Sequence, residues 1–166
     1  MATDKNAQEA FAGEAQANRK YSVFAEKADA EGYPVIGKLF RAASEAEAVH
    51  AKRILFVQSG VGNTEENLKG AIDAETYEFT TMYPKFIAEA KEERKMEAAN
   101  VFTHAMKAEE VHANLYIQAL EALQAGKDLN AEKIYLCPVC GDIELGTVPE
   151  RCPICGVPAR VFREVQ

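Results

Sequence analysis

The residues best suited to chemistry in this sequence are four cysteines and a set of glutamates and histidines. Cys137-Pro-Val-Cys140-Gly141 and Cys152-Pro-Ile-Cys155-Gly156 are near-identical knuckles with eleven residues between the pairs. This spacing sets four thiolates around one tetrahedral ion, and on spacing alone zinc and iron stand even. Gly141 and Gly156 permit the tight turns that aim backbone amides at the sulfurs. A segment this short cannot bury enough surface to fold alone, so its metal must supply much of its stability.

The second set lies on helices. Projected at 100° per residue, the apolar stripe of Ile36, Leu39, Ala43, Ile54 and Val57 has Glu47 and His50 in its middle. A later stripe, Ile72, Phe79, Met82 and Phe86, contains Glu75 and Glu78, and a third, Val101, Phe102, Ala105, Tyr116, Leu120 and Leu123, contains Glu109 and His112. Near the start, Glu14 shares a face with Phe11, Tyr21 and Ala25. A single glutamate on such a stripe is ordinarily a snorkelling or paired side chain. Five carboxylates with two imidazoles are different: an unpaired buried carboxylate costs several kcal/mol or more, whereas two metal ions bring about four to six positive charges to balance five negative ones. Glu47-x-x-His50 and Glu109-x-x-His112 put both donors of each pair on one helix side, a turn apart. Carboxylate-rich ligation with one imidazole per ion suits iron or manganese better than zinc or copper. This is the pattern of ferritin-like di-iron and di-manganese proteins. His104 lies outside it and reads as a surface or packing residue.

Four helices must position these donors. They are expected at about 4–31, 35–59, 63–93 and 95–125, separated by Gly32-Tyr33-Pro34, by Ser59-Gly60-Val61-Gly62, and by little or no loop before the last, which stops at Gly126. Asn63 with Glu66 forms an N-cap pair for the third helix, and Pro84 should kink it. From about 134, Lys133–Leu136 and Arg160–Phe162 are short apolar pieces between Gly and Pro, readable as small β-ribbons. The expected division is therefore 1–130 for the helical metal domain and 131–166 for the cysteine domain.

A net charge of −7 opposes nucleic acid or an anionic membrane as the main partner. The polar start MATDKNAQ lacks a signal-peptide core, and no apolar run reaches membrane-span length. The cytoplasm is the expected location, and there paired C-x-x-C spacings read as metal ligands sooner than disulfides.

With Glu14, Glu47-x-x-His50, Glu75-x-x-Glu78, Glu109-x-x-His112 and the four-cysteine tail together, the whole chain resembles the rubrerythrins. The resemblance implies a mainly α fold, a ferritin-like four-helix bundle followed by a small rubredoxin-like knuckle domain. It implies a peroxidase in which a diferrous centre reduces hydrogen peroxide to water and becomes diferric. Electrons would return through an Fe(Cys)4 site (zinc being possible as isolated) from an NAD(P)H-fed reductase or a rubredoxin. By the same resemblance Glu47 and Glu109 bridge two irons, Glu14, Glu75 and His112 are terminal ligands, and Glu78 and His50 exchange on one iron. Tyr21 and Tyr83 are similar to the family's tyrosines that hydrogen-bond the ligand carboxylates; core packing is the alternative. Two competing readings are a ferroxidase or iron-storage relative, and a zinc-ribbon scaffold or binding protein.

A ferritin-like topology requires the link between the second and third helices to cross the bundle, about 35 Å for a helix of roughly 25 residues, whereas six to eight extended residues reach about 20 to 28 Å. The expected assembly is a homodimer swapped between helices 1–2 of one chain and helices 3–4 of another.

Overall fold

A computed structural model describes residues 1–166. The order of elements follows from where the chain loses good helix formers. Helix α1 (Ala2–Ala30) is an Ala-, Glu- and Lys-rich run whose first turn is tied by the terminal amino group to Asp4 at 2.8 Å. It ends where Tyr33 N–H donates to Ala28 O at 2.8 Å. Pro34, with its fixed φ and missing donor, then opens α2 (Pro34–Val57).

These two helices pack closely because small residues recur every seven positions. Gly37, Ser44 and Ala51 of α2 are buried, as are Ala25 and Ala28 of α1. A Cβ on Gly37 would stand 2.2 Å from Asp29 Oδ1 and 3.2 Å from Ala25 O. Lower down, Asn18 Nδ2 donates to Ser44 O at 2.7 Å and to Ser44 Oγ at 3.0 Å, and Ser44 Oγ donates to Asn18 O at 2.8 Å.

Packing divides the chain into two compact units, Met1–Gly62 and Asn63–Gln166. The second opens with the expected cap: Glu66 N–H donates to Asn63 Oδ1 at 3.0 Å and Asn63 N–H to Glu66 Oε2 at 2.8 Å. The third helix is not one kinked rod. It is α3 (Thr64–Tyr77), a π-turn over Glu78–Met82, and α4 (Tyr83–Glu92). Tyr83 N–H donates to Glu78 O, five residues back, and Pro84 falls in the first turn of the next α-helical stretch. The proline's missing donor is thus absorbed at a register change. A turn of three residues, Glu93–Lys95, leads to α5 (Met96–Gln124).

The tail is a three-stranded antiparallel sheet in the order β2-β1-β3, with β1 at Ile134–Leu136, β2 at Ile143–Leu145 and β3 at Arg163–Glu164. Ile134 faces Leu145, and Leu136 faces both Ile143 and Arg163. The apolar piece 160–162 is not a strand: Ala159–Val161 forms a 3-10 turn after Pro158, with Val161 N–H donating to Pro158 O at 3.0 Å, and pairing begins at Arg163. No helix is long and apolar enough to cross a membrane.

Candidate metal centres

In the first unit Glu14 comes from α1, and Glu47 and His50 from α2, one turn apart. One ligand atom from each lies within 4.8 Å of the others. His50 Nδ1 stands 2.8 Å from Glu47 Oε2 and 3.8 Å from Glu14 Oε1. Donors about 2.1 Å from a shared ion lie up to roughly 4.2 Å apart, so these spacings fit one cation. A hydrogen bond with Glu47 pushes the Glu14 carboxyl above its usual range, helped by desolvation and by the Glu47 charge. Two carboxyls brought this close repel one another, and a metal ion held between them relieves that repulsion.

The second unit repeats the arrangement. Glu75 from α3 and Glu109 and His112 from α5 bring their ligand atoms within the same 4.8 Å. His112 Nδ1 lies 2.7 Å from Glu109 Oε2, both side chains being 16 % exposed. Burial raises the Glu75 carboxyl, and hydrogen bonding to Glu109 raises it further. Glu78, first residue of the π-turn, is not one of the three clustered donors. Burial and then the Glu75 charge push its carboxyl up, while the His112 imidazole opposes the shift.

Full burial of these acids, as the sequence pattern suggested, is not reached within either unit. Glu14 and Glu47 remain 32 % and 20 % exposed and His50 54 %, because a two-helix hairpin covers only one side of each helix. The stripe of α2 is correspondingly open, with Ile36, Leu39 and Val57 at 47, 69 and 77 %. Tyr21 closes an aromatic cluster with Phe24 and Phe40 at centroid distances of 6.2 Å each, and Tyr83 closes another with Phe86 at 6.3 Å and Phe102 at 6.2 Å. Both therefore take part in packing. Tyr83 also senses the acids: burial first, then Glu109, Glu78 and Glu75, push its phenol up.

The four cysteines form one cage, with Sγ atoms 3.4 Å apart for Cys140 and Cys152 and 3.7 Å for Cys137 and Cys155. Four sulfurs about 2.3 Å from a tetrahedral ion stand roughly 3.8 Å apart, so the cage has the size of such a site. Burial pushes Cys140 up strongly and Cys152 to about 11. Cys137 is held down, despite burial, by the N–H groups of Val139 and Cys140. Amides of Asp142, Ile154 and Cys155 also reach the sulfurs. Gly141 and Gly156 turn at φ +86° and +77°, as the knuckles require.

Three features escaped the sequence reading. Asp142 is 1 % exposed, and the Cys152 thiol donates to its Oδ2 at 3.4 Å; an acid immediately after a C-x-x-C-Gly knuckle was the available signal. Tyr116, seven residues after Glu109, has its phenol pushed up by burial, Glu75 and Glu109. It also helps to line a largely apolar cavity of 480 Å³ with Leu68, Leu115, Leu123, Ile134 and Ile143. The third is a hydrogen bond between the two donor sets of this unit: His112 Nε2 donates to Gly141 O at 2.8 Å.

A family model described as rubrerythrin matches residues 5–120, and one described as the rubredoxin-like domain of rubrerythrin matches residues 135–163. The chain belongs to the rubrerythrin family. It is 36 % identical to rubrerythrin-2 of Clostridium acetobutylicum over 93 % of this chain and 91 % of that one. To nigerythrin of Nitratidesulfovibrio vulgaris it is 37 % identical over 96 % of this chain and 85 % of that one. A solved structure of nigerythrin in a partially reduced state aligns with a TM-score of 0.59 and 36 % identity, covering 98 % of this chain and 86 % of that chain. The ferritin-like assignment, the rubredoxin-like tail and the rubrerythrin resemblance are thereby established. The donors fit the family's iron cofactors: carboxylates with one imidazole in each helical set, and four thiolates in the tail.

Proposed function

We propose that this oxidoreductase reduces hydrogen peroxide to water at a two-iron site formed by Glu14, Glu47, His50, Glu75, Glu78, Glu109 and His112. The observation that carries the reading is two equivalent carboxylate–imidazole clusters in a chain that also holds a four-thiolate cage one hydrogen bond away from His112. When bound, the iron pair supplies two electrons and an open Lewis-acidic position for a small neutral oxidant. The reaction consumes one H2O2, two electrons and two protons and yields two waters. In this reading Glu78 exchanges with His50 as a ligand on one iron, a role supported by its position on a π-turn near Glu75 and outside the three-donor cluster. Tyr83, close to Glu75, Glu78 and Glu109, is suited to orient those carboxylates, and Tyr21, seven residues after Glu14 on α1, would be its counterpart for the first cluster.

Residues 1–130 form the iron-pair domain in this reading and 131–166 the iron domain that relays electrons singly. An NAD(P)H-linked reductase or a rubredoxin is the donor. Ligation by unpaired thiolates suits a reducing compartment, the cytoplasm.

The assembly we propose is the swapped homodimer. Helix α2 has 24 residues, about 36 Å, and only residues 58–63 separate it from α3. Six residues reach about 20 Å when extended, and Ser59 and Gly60 are curled back onto Phe56 O and Leu55 O. Val23, Val35, Leu39, Phe56 and Val57 are 58 to 77 % exposed in a two-helix hairpin, an apolar surface that a second copy's α3–α5 would cover. A swapped dimer would bring Glu14, Glu47 and His50 of one chain together with Glu75, Glu78, Glu109 and His112 of another.

The test is anaerobic reduction of the iron-loaded protein followed by stoichiometric peroxide, with the iron absorptions followed and the rate compared with dioxygen. Fast reoxidation by peroxide is expected; slow turnover with peroxide and rapid consumption of dioxygen would point to a ferroxidase instead.

A further inference from the structure

The ring of His112 is held at both nitrogens. Nδ1 lies 2.7 Å from Glu109 Oε2, and Nε2 lies 2.8 Å from the carbonyl oxygen of Gly141. A carbonyl oxygen only accepts, so Nε2 carries a proton, and Nδ1 is the ring atom left facing Glu75 and Glu109, where a shared ion would sit. The carbonyl in turn is fixed by the cysteine knuckle. Gly141 N–H donates to Cys137 O at 2.9 Å, Cys137 N–H donates to Asp142 O at 2.8 Å, and Gly141 takes φ +86°. The knuckle is seated on α5 beside the ligands: a Cβ on Gly141 would meet the Cβ of Ala108, itself 2 % exposed and adjacent to Glu109, at 3.8 Å. His50 has a different setting, its Nδ1 facing Glu47 and Glu14 while its ring is half exposed.

We infer that the Cys140 knuckle is a positioning element for the carboxylate site: an ion in the thiolate cage fixes the Gly141 carbonyl, which holds His112 in its Nε2–H form with Nδ1 ready to ligate. Filling the sulfur site therefore raises the metal affinity of the position built from Glu75, Glu109 and His112, and by linkage the reverse also holds. The inference rests on the reading that these residues bind one ion of a metal pair. Hydrogen-bond partners of ligating histidines typically change metal affinity about tenfold to a hundredfold. The first-unit position, whose imidazole has no knuckle behind it, keeps its affinity. The cage is thus a gate on assembly as well as a site in its own right.

The full-length protein, stripped of metal, is studied with and without one equivalent of Zn2+, which four thiolates take ahead of oxygen donors. The Cys137→Ser/Cys155→Ser variant is carried alongside. Mn2+ is titrated into each, with the free ion read by electron paramagnetic resonance. Zinc-loaded protein is expected to bind two Mn2+ per chain. Without zinc, and in the variant, one of the two constants weakens about tenfold to a hundredfold and the other does not change. In wild-type protein carrying 15N-labelled imidazoles and no Mn2+, zinc should shift His112 from a tautomer mixture to the Nε2–H form and leave His50 as it was. Identical Mn2+ constants with and without zinc, or a His112 spectrum indifferent to zinc, would overturn the coupling. Fewer than two Mn2+ bound to the zinc-loaded chain would instead remove the metal-pair reading on which it rests.

Discussion

Tyr83 follows Glu75 by eight residues, although the equivalent Tyr21 follows Glu14 by seven, and the π-turn Glu78–Met82 takes up the difference. On either side of it the two hairpins match. Phe24 and Phe86 each come three residues after the tyrosine, and Phe40 and Phe102 each come seven before the Glu-x-x-His pair. The wider turn carries one residue beyond the α-helical count, and Glu78 opens it as a carboxylate with no counterpart on α1. A π-turn inside a helix commonly marks a functional position. Replacing Glu78 with Gln should leave six donors and both metals in place yet slow peroxide-driven reoxidation by roughly a hundredfold. Stopped-flow absorbance measures this, and an unaltered rate would take Glu78 out of the chemistry.

The swapped assembly has a genetic signature. Glu47→Gln and Glu109→Gln chains, each inactive alone, are co-expressed with different tags and the mixed dimer is purified. With swapped hairpins, both substitutions fall in one bundle and the other bundle is fully wild type. About half of the normal iron and turnover per dimer should return. Unswapped bundles would leave a defect in every site and restore nothing.

The acids predict how the metal-free protein responds to pH. Glu75 is pushed above its usual value of 4.5 by burial and by Glu109, so the folded chain binds its proton more tightly than the unfolded chain. The stability this contributes is present in full below about pH 4.5 and is lost as pH rises through the raised value. Glu75→Gln does not titrate. Its melting temperature, measured without metal, should therefore gain on wild type as pH rises above 4.5, and added Mn2+ should reverse the order by favouring the intact site. A difference independent of pH would contradict the assignment.

Close approach of α1 and α2 sets the first cluster. A methyl group on Gly37 would press on Asp29, which can move although it also pairs with Arg41 at 2.6 Å, and on the Ala25 carbonyl, which cannot. Gly37→Ala should cost about 1 to 3 kcal/mol in urea unfolding. Metal affinity at the Glu14–Glu47–His50 cluster should fall with it, since the helix separation sets those donors' spacing. A fully stable variant would show that the hairpin has slack at this point.

The sequence alone determined what depends on local spacing. Glu-x-x-His pairs, a C-x-x-C repeat, an Asn63–Glu66 cap and glycines at the knuckle turns are read within a few residues, because helix periodicity and turn geometry act over that range. Those signals yielded the four helical regions and every cage cysteine. Non-local contacts were settled only by the folded chain. Pro84 signalled a disturbance, but that the ladder widens to a π-turn, with Tyr83 and Phe86 packed against Phe102 just after it, is visible only in the folded chain. Asp142 became a buried acid because a turn places it beside Cys152, ten residues away. The link from His112 to Gly141 spans 29 residues and two kinds of structure, and no periodicity in either segment encodes it. Periodicity says which way a side chain faces, while docking the knuckle on α5 decides what it meets.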